Sequence, residues 1–324
     1  MESIMENFGW VFIGCGKIAE KAAKSLIKEG AGRIAAVWNR TRARAEKFAE
    51  KYGGKVYGTA EEALNSGADC AYIATTHDRH AYYTELAVKA GVPVLCEKPV
   101  AVNFNEAERA FALAKESGVY VAEAMWTWHN PVSLKVKQWL SEGKIGDVKK
   151  VKAKFAFPMM YVNRNPRLVK PELAGGVLLD LGIYPIRYVY ELFGMPSEIV
   201  CTGSLKGGID TEEKIIMKYG GFEAEIFVSM KRLRGEKVVI EGDRGRIIVP
   251  YFHTAGAAYL TGESRSKFKG DKNPFGIEFR HTAEDLLNGA NESAYCPVKN
   301  TLDVMRLLDE CRKQMKIVYP CEKK

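Results

Sequence analysis

Trp10-Val11-Phe12-Ile13-Gly14-Cys15-Gly16-Lys17-Ile18-Ala19 is the stretch on which the reading of this chain turns. Its apolar run has the length of a buried strand, and helical spacing follows at once with Ala22, Leu26 and Ile27. Between strand and helix lies G-x-G-x-x-G/A, with Ala19 in the last place. The first glycine permits a tight turn, the second lets the backbone approach a pyrophosphate, and a small residue at 19 lets the helix pack closely on a sheet. The free N–H groups of that helix then face phosphate oxygens. Glycines also make ordinary turns, so the pattern gains meaning from its place between a strand and a helix. Gly14, Cys15, Gly16, Lys17 and Ile18 are expected to hold a dinucleotide.

Further strands are expected at Ile34–Trp38, Lys55–Tyr57, Cys70–Ala74, Pro93–Cys96 and Val119–Ala122. Helical spacing separates them, as in Ala107, Ala110, Phe111 and Ala114. Such alternation implies a parallel sheet with helices on both faces, and its extent suits a complete dinucleotide-binding domain. Beyond residue 125 the pattern changes. A helix is expected from Pro131 to about Glu142 and an apolar one from about Gly176 to Phe193, with helical spacing again at Glu278–Leu287 and Leu302–Met315. Long alternating runs at Val148–Phe157, Ile199–Leu205, Lys214–Tyr219, Phe222–Met230, Lys237–Glu241 and Arg246–Tyr251 read as antiparallel strands joined by hairpins. The expected fold class is α/β: an N-terminal Rossmann domain, 1–125, and a C-terminal α+β domain, 126–324, with an open, mainly antiparallel sheet. One face of that sheet has few helices to cover it. Apolar alternation there predicts burial against a second copy, as a homodimer or homotetramer.

The end of the second strand bears on the choice of cofactor. An acid there would accept hydrogen bonds from the ribose 2′-hydroxyl of NAD. The residues are Asn39-Arg40-Thr41-Arg42, with Arg44 next, and guanidinium forks suit a 2′-phosphate. NADP(H) is expected in preference to NAD(H), with Arg40 the foremost contact and Asn39 and Arg42 beside it. Arg42 and Arg44 can equally be exposed residues of a first helical turn.

The 324 residues are 47% hydrophobic and 27% charged, an ordinary globular balance. No run of about 18 uncharged apolar residues exists, so no transmembrane helix is expected. The start of the chain lacks a basic segment followed by an apolar one, so a cytoplasmic location is expected. The net charge of +8 is spread along the chain without a block of like charges, so no nucleic-acid partner is expected. The 7 cysteines include no C-x-x-C pair and read as reduced, mostly buried thiols. His77 and His80 form H-x-x-H, but no third ligand stands nearby, and no metal is expected.

Glu97-Lys98-Pro99 ends the fifth expected strand. Later segments are Glu123-Ala124-Met125-Trp126-Thr127, Gly175-Gly176-Val177-Leu178-Leu179-Asp180-Leu181-Gly182-Ile183-Tyr184 and Val318-Tyr319-Pro320. Together with the glycine loop they resemble the Gfo/Idh/MocA oxidoreductase family over essentially the whole chain, closest to its dimeric dihydrodiol dehydrogenase and NADP-dependent D-xylose dehydrogenase branch. The resemblance implies hydride transfer between a nicotinamide and a carbinol or carbonyl carbon. A carbinol is a very weak acid, so its oxidation needs a base. Lys98 is expected to stabilise the developing alkoxide and to favour ionisation of a neighbouring acid. Many family members place histidine four residues after the aspartate, and this chain has Tyr184 there. Tyr184 is the expected proton carrier, and Asp180, four residues earlier on one helical face, the orienting group. Tyr184 as a core residue and Asp180 as a helix cap are the structural alternatives. Pro185 requires the helix to begin near Asp180 or to kink there.

By the same resemblance Thr75, Thr76, His77 and His80 line the cofactor. Glu97 either contacts it or holds the local backbone. Trp126, His129 and Arg164 are expected at the substrate, with packing between domains the alternative for the aromatic residues. Arg167, in the same loop as Arg164, could reach substrate or phosphate. The sequence thus points to an NADP(H)-dependent dehydrogenase acting on a sugar, polyol or vicinal diol. Two rivals stand beside it, a redox-assisted sugar-modifying enzyme of glycosidase type and a non-catalytic NADP sensor. The sensor would need no group like Lys98, Asp180 or Tyr184.

Overall fold

The computed structural model describes residues 2–162, 166–270 and 273–323. The chain divides into two compact units, Met1–His129 with Phe275–Thr301, and Asn130–Pro274 with Leu302–Lys324.

The first unit holds β1 (Gly9–Ile13), β2 (Arg33–Trp38), β3 (Lys55–Val56), β4 (Cys70–Ile73), β5 (Val94–Glu97) and β6 (Val121–Ala124). They form a 6-stranded sheet in the order β3-β2-β1-β4-β5-β6, with every pair parallel. β1, β4, β5 and β6 are buried throughout, as central parallel strands covered on both faces must be. The strand order reverses between β1 and β4, where ligands of such sheets bind beyond the carboxyl ends. The last strand begins at Val121 rather than Val119. Gly118 closes the preceding helix in the left-handed conformation, and the Val119 N–H still donates to Ala114.

The division into 1–125 and 126–324 differs from the observed units. The short helix Trp126–His129 belongs to the first unit, and the chain returns to it at Phe275. The Phe279 ring packs 5.0 Å from those of Trp10 and Tyr72, Phe275 packs 4.1 Å from Trp126, and Arg280 Nε meets Glu29 Oε1 at 3.0 Å. Contacts between segments some 150–270 residues apart leave no periodic signal in the chain.

The second unit holds β7 (Val148–Ala156), β8 (Glu198–Lys206), β9 (Ile209–Lys218), β10 (Glu223–Ser229), β11 (Gly235–Gly242), β12 (Gly245–Pro250), β13 (Ala257–Gly262) and β14 (Ser266–Lys269). These make an 8-stranded sheet ordered β14-β13-β12-β11-β7-β10-β9-β8. Only β7 and β10 pair in parallel. β13 and β14 were not expected from the sequence. β14 reads Ser-Lys-Phe-Lys, and its ladder with β13 supplies what composition does not.

Helix Ile183–Phe193 lies on β7 and β10, and helix Pro131–Ser141 on β13 and β14. Helix Val298–Met315 clamps β8 through Gln314, which accepts from the Cys201 N–H at 2.7 Å and donates to the Ile199 carbonyl at 2.9 Å. The other face of the sheet is not the apolar surface expected. Lys150, Lys152 and Lys154 alternate outward along β7, with Glu223 and Glu225 on β10. Lys150 pairs with Glu225 at 2.8 Å and Lys152 with Glu241 at 3.6 Å, leaving Ile216, Phe227 and Val239 half-buried among the charges.

Candidate active site

The glycine loop of the first unit has the geometry a pyrophosphate requires. Gly14 has φ +103°, and a Cβ there would stand 2.5 Å from the Ala74 carbonyl oxygen, so only glycine fits. A Cβ on Gly16 would meet nothing within 4 Å, which keeps the backbone open to an approaching ligand. No side chain caps the helix Lys17–Glu29 that starts there, so its first N–H groups are available to an anion. Ala19 is fully buried against the sheet.

Asn39 shapes this loop. Its Oδ1 accepts from the Cys15 N–H at 3.1 Å, and its Nδ2 donates to the Thr41 carbonyl at 3.0 Å. Arg40 is exposed at the end of β2, and no acid among the described residues pairs with it. Arg42 is turned to Glu46 at 2.9 Å across one helical turn, the exposed helical arrangement the sequence left open.

At the ends of β4 and β5 two turns face one another. His80 is buried between them, its Nδ1 donating to the Pro99 carbonyl at 2.7 Å while Nε2 lies 3.4 Å from the Thr75 carbonyl. It thereby holds the Thr75 turn to the Lys98–Pro99 turn, whose peptide bond is cis. His77 is buried with its ring 5.7 Å from that of His80, and Thr75 and Thr76 are half-buried beside it. Glu97 also turns inward. Its Oε1 accepts from the Tyr72 hydroxyl at 2.6 Å and its Oε2 from the Lys98 N–H at 3.2 Å, so it fixes the Lys98 backbone. Lys98 itself is half-buried.

Behind Glu97 stands a second buried carboxyl, Glu278, which the sequence reading missed. Burial raises the proton affinity of both, the Glu97 charge raises that of Glu278 further, and the Lys21 ammonium opposes the effect on each. Lys21 Nζ lies 3.8 Å from the centre of the Trp126 ring. Trp126, expected at the substrate, is thus packed inside the first unit. So is His129, whose Nδ1 meets His281 Nδ1 at 3.1 Å and whose Nε2 meets the Cys296 thiol at 3.6 Å. Arg164 lies outside the described residues.

In the second unit the segment Gly175–Tyr184 is built around Asp210. This carboxylate accepts from the N–H groups of Val177 and Leu178. A Cβ on Gly176, which has φ +122°, would collide with it. Burial raises the Asp210 proton affinity, and those backbone donors hold it down. Leu178–Gly182 then forms a π turn that leads into the α-helix Ile183–Phe193. The wide turn answers the problem set by Pro185, which falls in the first turn of the α-helix, where a missing N–H costs little. Asp180 sits in the π turn, and its Oδ1 accepts from Arg167 Nη2 at 2.7 Å. Tyr184 is largely buried, its ring 5.9 Å from Phe155 and 5.3 Å from His253.

Two family models match the chain. "Oxidoreductase family, NAD-binding Rossmann fold" covers residues 8–125, and "GFO/IDH/MocA C-terminal domain" covers residues 133–248. The chain belongs to the Gfo/Idh/MocA oxidoreductase family. It is 30% identical to the trans-1,2-dihydrobenzene-1,2-diol dehydrogenase of Mus musculus, over 97% of this chain and 99% of that one. The corresponding protein of Danio rerio is also 30% identical, over 96% and 97%. Among solved structures, a 3-ketoreductase from Actinomadura kijaniata, in complex with NADP and TDP-benzene, has a TM-score of 0.85 at 24% identity, covering 95% of this chain and 98% of that one. The aldose-aldose oxidoreductase of Caulobacter crescentus, complexed with glycerol, has a TM-score of 0.86 at 20% identity, covering 96% and 98%. No helix among the described residues is long and apolar enough to cross a membrane.

Proposed function

We propose that this protein is an NADP(H)-dependent dehydrogenase that transfers hydride between the nicotinamide and a carbinol or carbonyl carbon of a sugar, polyol or vicinal diol. The observation that carries the reading is Lys98, held by Glu97 through its backbone at the end of β5, in the same unit as an open, uncapped glycine loop. The full-length likeness to dihydrodiol dehydrogenases supports a vicinal diol or a sugar as substrate.

A bound nicotinamide dinucleotide supplies the hydride acceptor for oxidation and the donor for reduction. The N–H groups from Gly14 to Ile18 bind its pyrophosphate. Arg40 binds the 2′-phosphate, a choice supported by the absence of any acid from Asn39 to Arg42. Thr75, Thr76 and His77 line it. The Lys98 ammonium stabilises negative charge on the carbinol oxygen, Tyr184 takes up or returns the carbinol proton, and Asp180, oriented by Arg167, holds the substrate hydroxyl. Seven cysteines with no disulfide among the described residues support a cytoplasmic location. The outward face of the 8-stranded sheet is assigned to a homo-oligomer. Its lysine row and glutamates are mutually complementary, with Ile216, Phe227 and Val239 between them. Light scattering at micromolar concentration should show a dimer or tetramer, and a monomer would overturn this assignment.

The test of the chemistry is NADP+ reduction at 340 nm on a panel of D-xylose, D-glucose, glycerol and trans-cyclohexane-1,2-diol, repeated with Tyr184→Phe. Turnover should fall about 10²–10⁴-fold in the variant, the range of general acid–base catalysis, with NADPH affinity nearly unchanged. A variant within about three-fold of the parent would overturn the role of Tyr184. Tight NADPH binding with no turnover of any panel member would favour a sensor.

A further inference from the structure

His253 is hydrogen-bonded to the buried Glu236 and packs its ring beside that of Tyr184. Glu236 lies on β11 in the inward register with Val238 and Ile240, where an apolar residue is the ordinary choice. Its side chain is only 1% exposed. Oε1 accepts from both the His253 backbone N–H and His253 Nδ1, each at 2.7 Å, and Oε2 has no hydrogen-bond partner among the described residues. A carboxylate so deeply buried is costly and persists where it holds a polar partner in place. That partner is the imidazole. With Nδ1–H committed to Glu236, the tautomer is set, and Nε2 is the nitrogen that gains or loses a proton.

The ring is placed between a buried phenol and water. Its side chain is 21% exposed, and its centroid lies 5.3 Å from that of Tyr184, which is 6% exposed. Phe155 packs on it at 4.7 Å. Among the described residues, Glu236 from β11 is hydrogen-bonded to it and Tyr184 from the helix Ile183–Phe193 packs against it. β7 contributes the Phe155 ring. The Asp180–Arg167 ion pair lies one turn before Tyr184.

We propose that His253, held by Glu236, is the positioning residue that relays the proton between Tyr184 and solvent. The inference rests on the reading of Tyr184 as proton carrier. In alcohol oxidation the phenolate takes the carbinol proton, the phenol passes a proton to His253 Nε2 directly or through one water, and His253 releases it to bulk water. One proton moves at each step and no electrons move. Reduction runs the same steps backwards.

The primary test needs no substrate. Long-range 1H–15N NMR of the whole protein should show His253 as the Nδ1–H tautomer. An Nε2–H tautomer would overturn the relay. The kinetic test uses His253→Asn, whose amide can still donate to Glu236 but which has no titrating nitrogen. With NADP+ and the most active diol or sugar of the panel, its turnover should fall about ten-fold, its pH profile should flatten on the acid side, and added imidazole should restore rate in proportion to its free-base concentration. NADPH affinity should stay at the parent value. Glu236→Gln should lower turnover in the same direction. His253→Asn with parental turnover and pH profile would overturn the relay even where Tyr184→Phe is crippled. Parental turnover in Tyr184→Phe beside a crippled, imidazole-rescued His253→Asn would overturn the reading of Tyr184 and leave His253 as the base.

Discussion

Arg167 Nη2 donates to Asp180 Oδ1 at 2.7 Å, with the two side chains 22% and 10% exposed. The pair ties the loop before the Gly175–Gly176 turn to the π turn that precedes Tyr184. Arg167→Leu would remove that guanidinium from the Asp180 carboxylate. A loss of about 1.5–3 kcal/mol in unfolding free energy is expected, the range for a hydrogen bond to a charged group. Chemical denaturation measures it, and Arg167→Lys should recover part of the loss. The KM for the best panel substrate should rise more than the Kd for NADPH, since Asp180 is assigned to substrate.

Arg40→Ala should weaken NADP(H) more than NAD(H). A charge-assisted phosphate contact contributes roughly 1.5–3 kcal/mol, so the preference should fall about ten- to hundred-fold. Fluorescence titration with NADPH and NADH tests this, and equal losses for both would remove Arg40 from the 2′-phosphate. Arg42→Ala should change the preference less, because that guanidinium is turned to Glu46.

Gly14→Ala and Gly16→Ala should fail in different ways. At Gly14 the added methyl meets the Ala74 carbonyl, and the backbone conformation is unfavourable to L-residues, so stability itself should fall by about 1–3 kcal/mol. At Gly16 the fold has room, so melting temperature should hold while NADPH affinity drops. Thermal melts with and without NADPH separate the two.

His281 makes stability depend on acidity. Burial first, and the Arg280 cation second, push its pKa down to about 4 from an ordinary value near 6.5. Between these values the unfolded chain binds more protons than the folded one, so stability rises with pH across the window. The His281 contribution is fully present above pH about 6.5 and is lost as pH falls toward 4. His281→Asn should therefore show a shallower fall in melting temperature from pH 7 to pH 4 than the parent. Identical slopes would refute the assignment.

Local patterns carried the first unit almost entirely. The strand-turn-helix at Trp10–Ala19 requires specific residues over a short span, and each parallel strand buried on both faces writes itself as a continuous apolar run. Lys98 and the Asp180–Tyr184 segment were likewise within reach, because motif residues keep fixed spacing on one element. Position in sequence says nothing, however, about which way a side chain turns. Only the folded structure directs Glu97 to Tyr72, seats His80 between two turns and closes His129 on His281. The same holds for residues brought together from distant segments. Phe275 and Phe279 return to the first unit after the whole second sheet in sequence, Asp210 reaches back to Leu178, and Glu236 meets His253 across the β11–β12 hairpin. Glu236 left one trace in the sequence, an acid in the inward register of β11. Its meaning depended on a partner that only chain closure could supply, because hydrogen bonding acts over about 3 Å in space and carries no signature in sequence separation.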